Sequence, residues 1–419
     1  MVNIRKKLLS EPFLFVIWAS LSVFLAYFCM YMLRKPFTAS VFDGLKIWGL
    51  DYKIVLVISQ VLGYTISKFL GIKIISELKQ RKRLQFFLVL LVFSLFSLVG
   101  FAITPIRYGP FWLFLNGLPL GLIWGIVFSY CEGRNWTEVL TVVLASNFII
   151  SSGIAKTVGR VIIAYGHSEQ SMPMIVGFLV LPLMFLSLWM LSSLPLPSKE
   201  EINQKSERLP MGPKERREVL SNYWPAILVF VIVYLVLTVI RDLRDNFAVE
   251  IWVGLGYSDN PEIFTVTELP VMLMVLFGLG MLYRVKENRK ALYFNIWISI
   301  SGLVCLLMGT FLFLNGTIGA IPWMVISGTG LFLPYILLNG ILFDRFIAHF
   351  GIMGNVGFIM YIADATGYLG SVAVLLYKNL FSSHLDWLPF FTKTCIVGGT
   401  IGLVCVFSLF GIINRCPKK

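Results

Sequence analysis

Apolar residues in this chain run in long blocks instead of alternating with polar ones. The block "FLFVIWASLSVFLAYFCMYML" (13–33) is one of many, and each approaches the ~20 residues a helix needs to cross a bilayer. The pattern predicts twelve spans, at about 12–40, 52–75, 84–104, 109–131, 138–164, 172–194, 222–246, 262–283, 291–314, 319–343, 354–376 and 391–413. In lipid an open chain must satisfy its own backbone polar groups, so each span is read as a helix. Span 1 is expected to continue past Arg34 and Pro36 toward Ser40. It is too long for a removable signal peptide and lacks a small-residue cleavage site.

The polar positions set the orientation. "MVNIRKK", "ELKQRKR" (77–83), "RVKENRK" (284–290), the tail "NRCPKK" and the segment 198–218 are basic, whereas the opposite loops are short and rich in Gly, Pro and Ser. By the positive-inside pattern both termini face the cytoplasm. Segment 196–221 then reads as a cytoplasmic linker between a six-span half, 1–195, and a second, 222–419. Composition fits: of 419 residues 58% are hydrophobic and 14% charged, with a mean hydropathy of +0.82. The net charge of +13 is scattered over separate loops, which argues against nucleic-acid binding. The six cysteines show no CxxC pairing and read as packing residues.

The two halves repeat a polar pattern. Tyr27, Tyr31 and Arg34 share one face of span 1, and Tyr234, Thr238 and Arg241 keep the same spacing in span 7. Gln60 precedes Arg81 by the interval at which Glu268 precedes Arg289. Spans 4 and 10 end in Glu132 and Arg134 and in Asp344 and Arg345. Asn147, Lys156 and Gly159 are spaced as Asn355, Asp364 and Gly367. Such order points to an all-α polytopic membrane protein of twelve transmembrane helices in two pseudo-twofold-related six-helix bundles, the major facilitator architecture.

Two elements add a family resemblance. "GYTISKFLG" (63–71) and "YMLRKPF" (31–37) are similar to motifs in the first two helices of the organophosphate:phosphate antiporters, and "YLVLTVIRDLRDNF" is a looser match. The chain resembles a divergent bacterial branch of that family, placed in the inner membrane as a monomer. The resemblance implies that Arg34 and Arg241 grip a substrate phosphate, with Arg244 competing for the second role and Lys68 near the site. Departures are the degenerate loop after span 2, where Glu77 and its basic cluster stand in the usual motif, the absence of a histidine in "ASNFIISSGIAK", and the added acids Asp242 and Asp245.

Ionisable residues inside spans are costly and therefore point to function. Arg34 and Arg241 are candidates to hold a dianion, which accepts paired hydrogen bonds from guanidinium groups; alternatively Arg241 is neutralised by Asp245 one turn on. Tyr27, Tyr31 and Asn147 are candidate substrate contacts or interhelical packing groups, as is Asn339. Lys68 with Asp364 and Lys156 with Glu268 are candidate cross-domain bridges, static or proton-exchanging. Glu132, Arg134, Asp344 and Arg345 read as gating or structural pairs. The expected function is exchange of a phosphate ester for inorganic phosphate. The alternatives are proton-coupled symport of a sugar, peptidoglycan fragment or carboxylate, and a non-transporting sensor of sugar phosphates. No P-loop, nucleophile elbow or metal cluster stands out, so neither an enzyme nor a bound cofactor is expected.

Overall fold

The computed structural model describes residues 2–78, 82–131, 134, 136–195, 213–258, 260–282, 285, 287–338, 342–350, 356–382 and 385–415. It separates into two compact units, Met1–Ser206 with Asp259–Thr265, and Glu207–Ser258 with Val266–Lys419.

The first unit holds α1 (Val2–Ser10), α2 (Pro12–Arg34), α3 (Tyr52–Glu77), α4 (Arg83–Ile103), α5 (Gly109–Cys131), α6 (Thr137–Ala164), α7 (Met172–Leu179) and α8 (Leu181–Ser193). The second holds α9 (Pro213–Asn246), α10 (Ala248–Gly254), most of α11 (Ile263–Leu282), α12 (Asn288–Leu314), α13 (Ala320–Ile336), α14 (Leu342–Phe350), α15 (Val356–Phe381) and α16 (Trp387–Arg415). Among the described residues nine helices are long and apolar enough to cross a membrane, and α7 with α8 makes a tenth, bent by 42°. The break lies at Val180, ahead of Pro182, whose ring excludes a helical carbonyl behind it. The two remaining predicted spans coincide with α13, apolar but 17 residues long, and α15, 26 residues long and carrying Asp364 and Lys378.

Two expectations are corrected. The helix of span 1, α2, stops at Arg34 and does not run to Ser40. Pro36 brings no N–H and opens a 3₁₀ turn, Pro36–Ala39, because the ring cannot sit inside an α-helix without losing a backbone bond. Secondly, α9 is 34 residues long and starts at Pro213, inside the segment read as linker. Between spans 1 and 2 a short antiparallel hairpin pairs Lys46–Ile47 with Leu50–Asp51; Trp48 and Gly49 at its tip both take positive φ, as a type I′ hairpin turn requires.

Within each unit the neighbour relations repeat. Helix α2 packs on α6 and α8 as α9 packs on α15 and α16, and α4 packs on α5 as α12 packs on α13. Close approach of α3 and α5 depends on glycine: a Cβ on Gly121 would lie 2.6 Å from the Tyr64 carbonyl oxygen. Small residues at such crossings are the usual way for apolar helices to gain contact where no hydrophobic force draws them together.

Candidate functional site

In the first unit the site grows from the broken end of α2. A helix leaves its last carbonyls without internal donors, and Pro36 removes one donor that would have followed. Lys35 N–H reaches the Tyr31 carbonyl. Side chains supply the rest: Gln60 Nε2 donates to the Arg34 carbonyl at 3.0 Å and to Asn116 Oδ1 at 2.8 Å. Asn116 Nδ2 donates to Ser94 Oγ at 2.8 Å and to the Leu33 carbonyl at 3.3 Å. A buried amide pair thus fixes the backbone under Arg34.

Arg34 and Lys35 are buried. The Arg34 guanidinium lies 4.0 Å from the Tyr64 ring centroid, and Lys68 Nζ lies 5.2 Å from the same centroid. One phenol ring therefore gathers two cations through its electron-rich face. Lys156 Nζ bonds Ser152 Oγ at 2.6 Å, one turn back on α6. Tyr27 is edge-on to both Tyr31 and Trp124. Asn147 accepts from Ser151 Oγ at 2.6 Å and donates to the Leu144 carbonyl, so both recorded partners lie on its own helix. Arg134 ties helix ends together: it donates to the Tyr130 and Pro195 carbonyls at 2.8 and 2.7 Å and rests over the Phe15 ring.

In the second unit the arginines of α9 have acidic partners. Arg241 grips Asp242 Oδ1 through Nη2 at 2.6 Å and Nε at 3.1 Å, a two-pronged contact. The expected neutralising partner was Asp245; Asp242, the next residue, fills that role. Ser371 Oγ donates to the second oxygen of Asp242 at 2.7 Å. Arg241 also lies over the Tyr335 ring, 4.5 Å from its centroid, and bonds its hydroxyl. The Tyr335 and Tyr234 hydroxyls are 3.2 Å apart, and Tyr234 donates to Asp364 Oδ1. A continuous chain thus runs Ser371, Asp242, Arg241, Tyr335, Tyr234, Asp364.

Arg244 instead pairs with Glu268 at 2.8 Å. Its side chain is 2% exposed against 14% for Arg241, so Arg241 is the more open of the two competitors. Gly328 makes room for it: a Cβ there would meet Arg244 Nη2 at 2.7 Å. Glu268 Oε2 is buried and has no hydrogen-bond partner among the described residues. The two carboxylates expected to bridge to lysines of the first half, Asp364 and Glu268, thus have Tyr234 and Arg244 as partners in their own half. Asp245 and Arg345 are half-buried. Glu132, Asn339, Asn355 and Arg81, and the side chains of Asp344 and Glu77, lie outside the described residues.

Tyr64, Tyr335, Ser371, Gln60 and Asn116 shape these clusters without having been marked as site residues from the sequence. Tyr64 carried a signal, since it stands one helical turn before Lys68 in the quoted "GYTISKFLG" element. Tyr335 carried none.

Residues 36–415 match the model of a protein family described only as a family of unknown function, DUF5690. The chain belongs to that family. No curated relative matches it. Among solved structures, a D-xylose–proton symporter aligns over 97% of this chain and 100% of its own with a TM-score of 0.64 at 14% identity. The proton:xylose symporter XylE of the major facilitator superfamily, bound to 6-bromo-6-deoxy-D-glucose, covers 96% of each chain at 0.62 and 14%. The nucleoside transporter NupG aligns over 96% of this chain and 99% of its own at 0.63 and 13%. The fold is the all-α major facilitator fold, and this DUF5690 protein carries it at an identity too low to say more than fold.

Proposed function

We propose that this DUF5690 protein is a secondary transporter that carries a small organic anion together with protons by alternating access. The pairing of both α9 arginines with carboxylates of their own half carries this reading. A guanidinium already held by a carboxylate is a poor second ligand for a dianion, because the new anion must displace or repel the old one. Anion binding is assigned to the first half, where Arg34 and Lys68 are gathered on one tyrosine ring and Lys156 is bonded to Ser152. Proton carriage is assigned to Asp364, bound to a phenol, and Glu268, whose buried Oε2 has no hydrogen-bond partner among the described residues. Buried acids in membrane spans commonly serve as proton relays. The setting is a bacterial cytoplasmic membrane, with a monomer whose two termini are cytoplasmic.

The test is uptake of labelled organic anions into proteoliposomes with acid outside. Wild type accumulates the anion and collapses the pH gradient. Asp364→Asn loses accumulation but keeps exchange between two anion pools. Accumulation that ignores the pH gradient overturns the proton role.

A second reading, exchange of a phosphate ester for inorganic phosphate, is favoured by one observation. The "GYTISKFLG" element brings Tyr64 and Lys68 to Arg34. Counterflow of labelled phosphate against internal phosphate, with no dependence on the pH gradient, separates it from the first.

A further inference from the structure

The first half carries more than cations. Tyr27 on α2 is edge-on to Trp124, with centroids 5.1 Å apart, and to Phe148 at 6.0 Å. Trp124 is stacked with Phe148 at 5.1 Å and 25°, and with Phe128 at 6.1 Å and 11°. Tyr27 is buried, whereas Trp124, Phe128 and Phe148 are each half-buried. Helices α5 and α6 therefore contribute a platform of near-parallel rings, with a buried tyrosine of α2 edge-on to it. Each of the three rings keeps part of its surface outside the core.

The platform and the cations are in register. Seven residues along α2 separate Tyr27 from Arg34, a rise of about 10 Å. On α6, Phe148, Ser152 and Lys156 follow one another at helical spacing on one face, and Ser152 bonds Lys156. The two helices run side by side in the same direction. The Tyr27–Phe148 contact fixes one level, and Gly159 fixes the other, because a Cβ there would touch Ala39 just beyond the end of α2 at 2.8 Å. Arg34 and Lys156 thus share one level, and Tyr27 and Phe148 another about 10 Å away.

Resting on the anion-carrier reading above, we propose that the substrate is an organic anion bearing a ring, with the ring on the Trp124, Phe128 and Phe148 platform and the charged group at the Arg34 and Lys156 level. Ring faces, aryl or pyranose, gain from stacking on aromatic side chains, whereas an open chain of equal charge does not. Trp124 is then a specificity-determining residue and Arg34 an affinity-determining one.

The experiment measures binding to purified full-length protein with two matched pairs of anions, glucuronate against gluconate and phenyl phosphate against butyl phosphate. The expected result is that, in at least one pair, the ring-bearing member binds about tenfold more tightly. Trp124→Leu erases that preference while leaving the open-chain partner unchanged, and Phe128→Leu narrows it. Arg34→Gln weakens both members of the pair alike. Equal binding within both pairs overturns the ring assignment and leaves the anion reading standing. Loss of both members alike in Trp124→Leu and Phe128→Leu also overturns it. Binding of none of the four anions overturns the anion reading and this inference with it.

Discussion

Lys156 and Asp364 hold equivalent places in the two repeats, and their charges are opposite. The same holds more widely. Gln60 in the first half stands where Glu268 stands in the second. The first half lines its spans with Arg34, Lys35, Lys68 and Lys156, while the second adds Asp242, Asp245, Glu268 and Asp364 beside its two arginines. One architecture has thus been loaded with charge of two signs. The partners differ accordingly. Arg34 lies over the Tyr64 ring and its backbone is held by amides; its repeat counterpart Arg241 lies over the Tyr335 ring and is gripped by Asp242. A duplicated fold keeps its helix contacts and frees its polar positions to diverge, since helix neighbours depend on shape and charge does not.

The largest way to break this comparison is to remove one member of the acidic half. Arg244 is almost wholly buried and its acidic partner is Glu268. Glu268→Gln leaves that guanidinium without a counter-charge, which costs about 3–5 kcal/mol for a buried pair. The expected result is a large fall in the thermal unfolding temperature in detergent. The double variant Arg244→Met with Glu268→Leu, which removes both charges, recovers most of it. If the single variant melts like wild type, the pair is not the electrostatic support of α9 that its geometry implies.

The difference between the halves also explains what could be read from the chain. The spans were legible because twenty apolar residues in a row have few other fates, and the spacing of Arg34 and Arg241 exposed the repeat. Hydrophobic continuity carries span 1 past Pro36 toward Ser40, but the backbone consequence of proline is local and strict, and α2 ends at Arg34. Sequence does not tell that Glu268 meets an arginine of α9 at 2.8 Å, or that Tyr335, from α13, lies between Arg241 and Tyr234. Those contacts join residues far apart in the chain and depend on helix rotation, which apolar periodicity fixes poorly when lipid and protein are both apolar.

A smaller effect sharpens the basic half. Tyr64 serves both Arg34 and Lys68, and a cation over a ring is worth about 0.5–2 kcal/mol. Tyr64→Leu removes the ring face and keeps apolar bulk. It is expected to shift anion affinity by about two- to thirtyfold while leaving the proton-gradient dependence in place. Tyr64→Phe, which keeps the ring, is expected to behave as wild type. If Phe and Leu weaken binding equally, the hydroxyl and not the ring is what the cations need.

The smallest prediction concerns a place where helix contacts of the two halves differ. Helices α3 and α5 meet backbone to backbone through glycines, and a Cβ on Gly121 would sit 2.6 Å from the Tyr64 carbonyl oxygen. Their repeat counterparts, α11 and α13, touch instead through side chains, as where Leu333 fills the space beside Gly278 and Val271 that beside Gly328. Gly280, further along α11, has nothing within 4 Å of its Cβ position. Gly280→Ala should therefore be tolerated, with a gain of no more than about 1 kcal/mol from helix propensity. Gly121→Ala must push two backbones apart and should lower the melting temperature. The pair isolates backbone approach from everything else, because both changes add the same single methyl group to a transmembrane helix. Equal tolerance at both positions would mean that α3 and α5 can separate freely, and the close seam that sets Tyr64 beneath Arg34 would then not be a fixed feature of the first half.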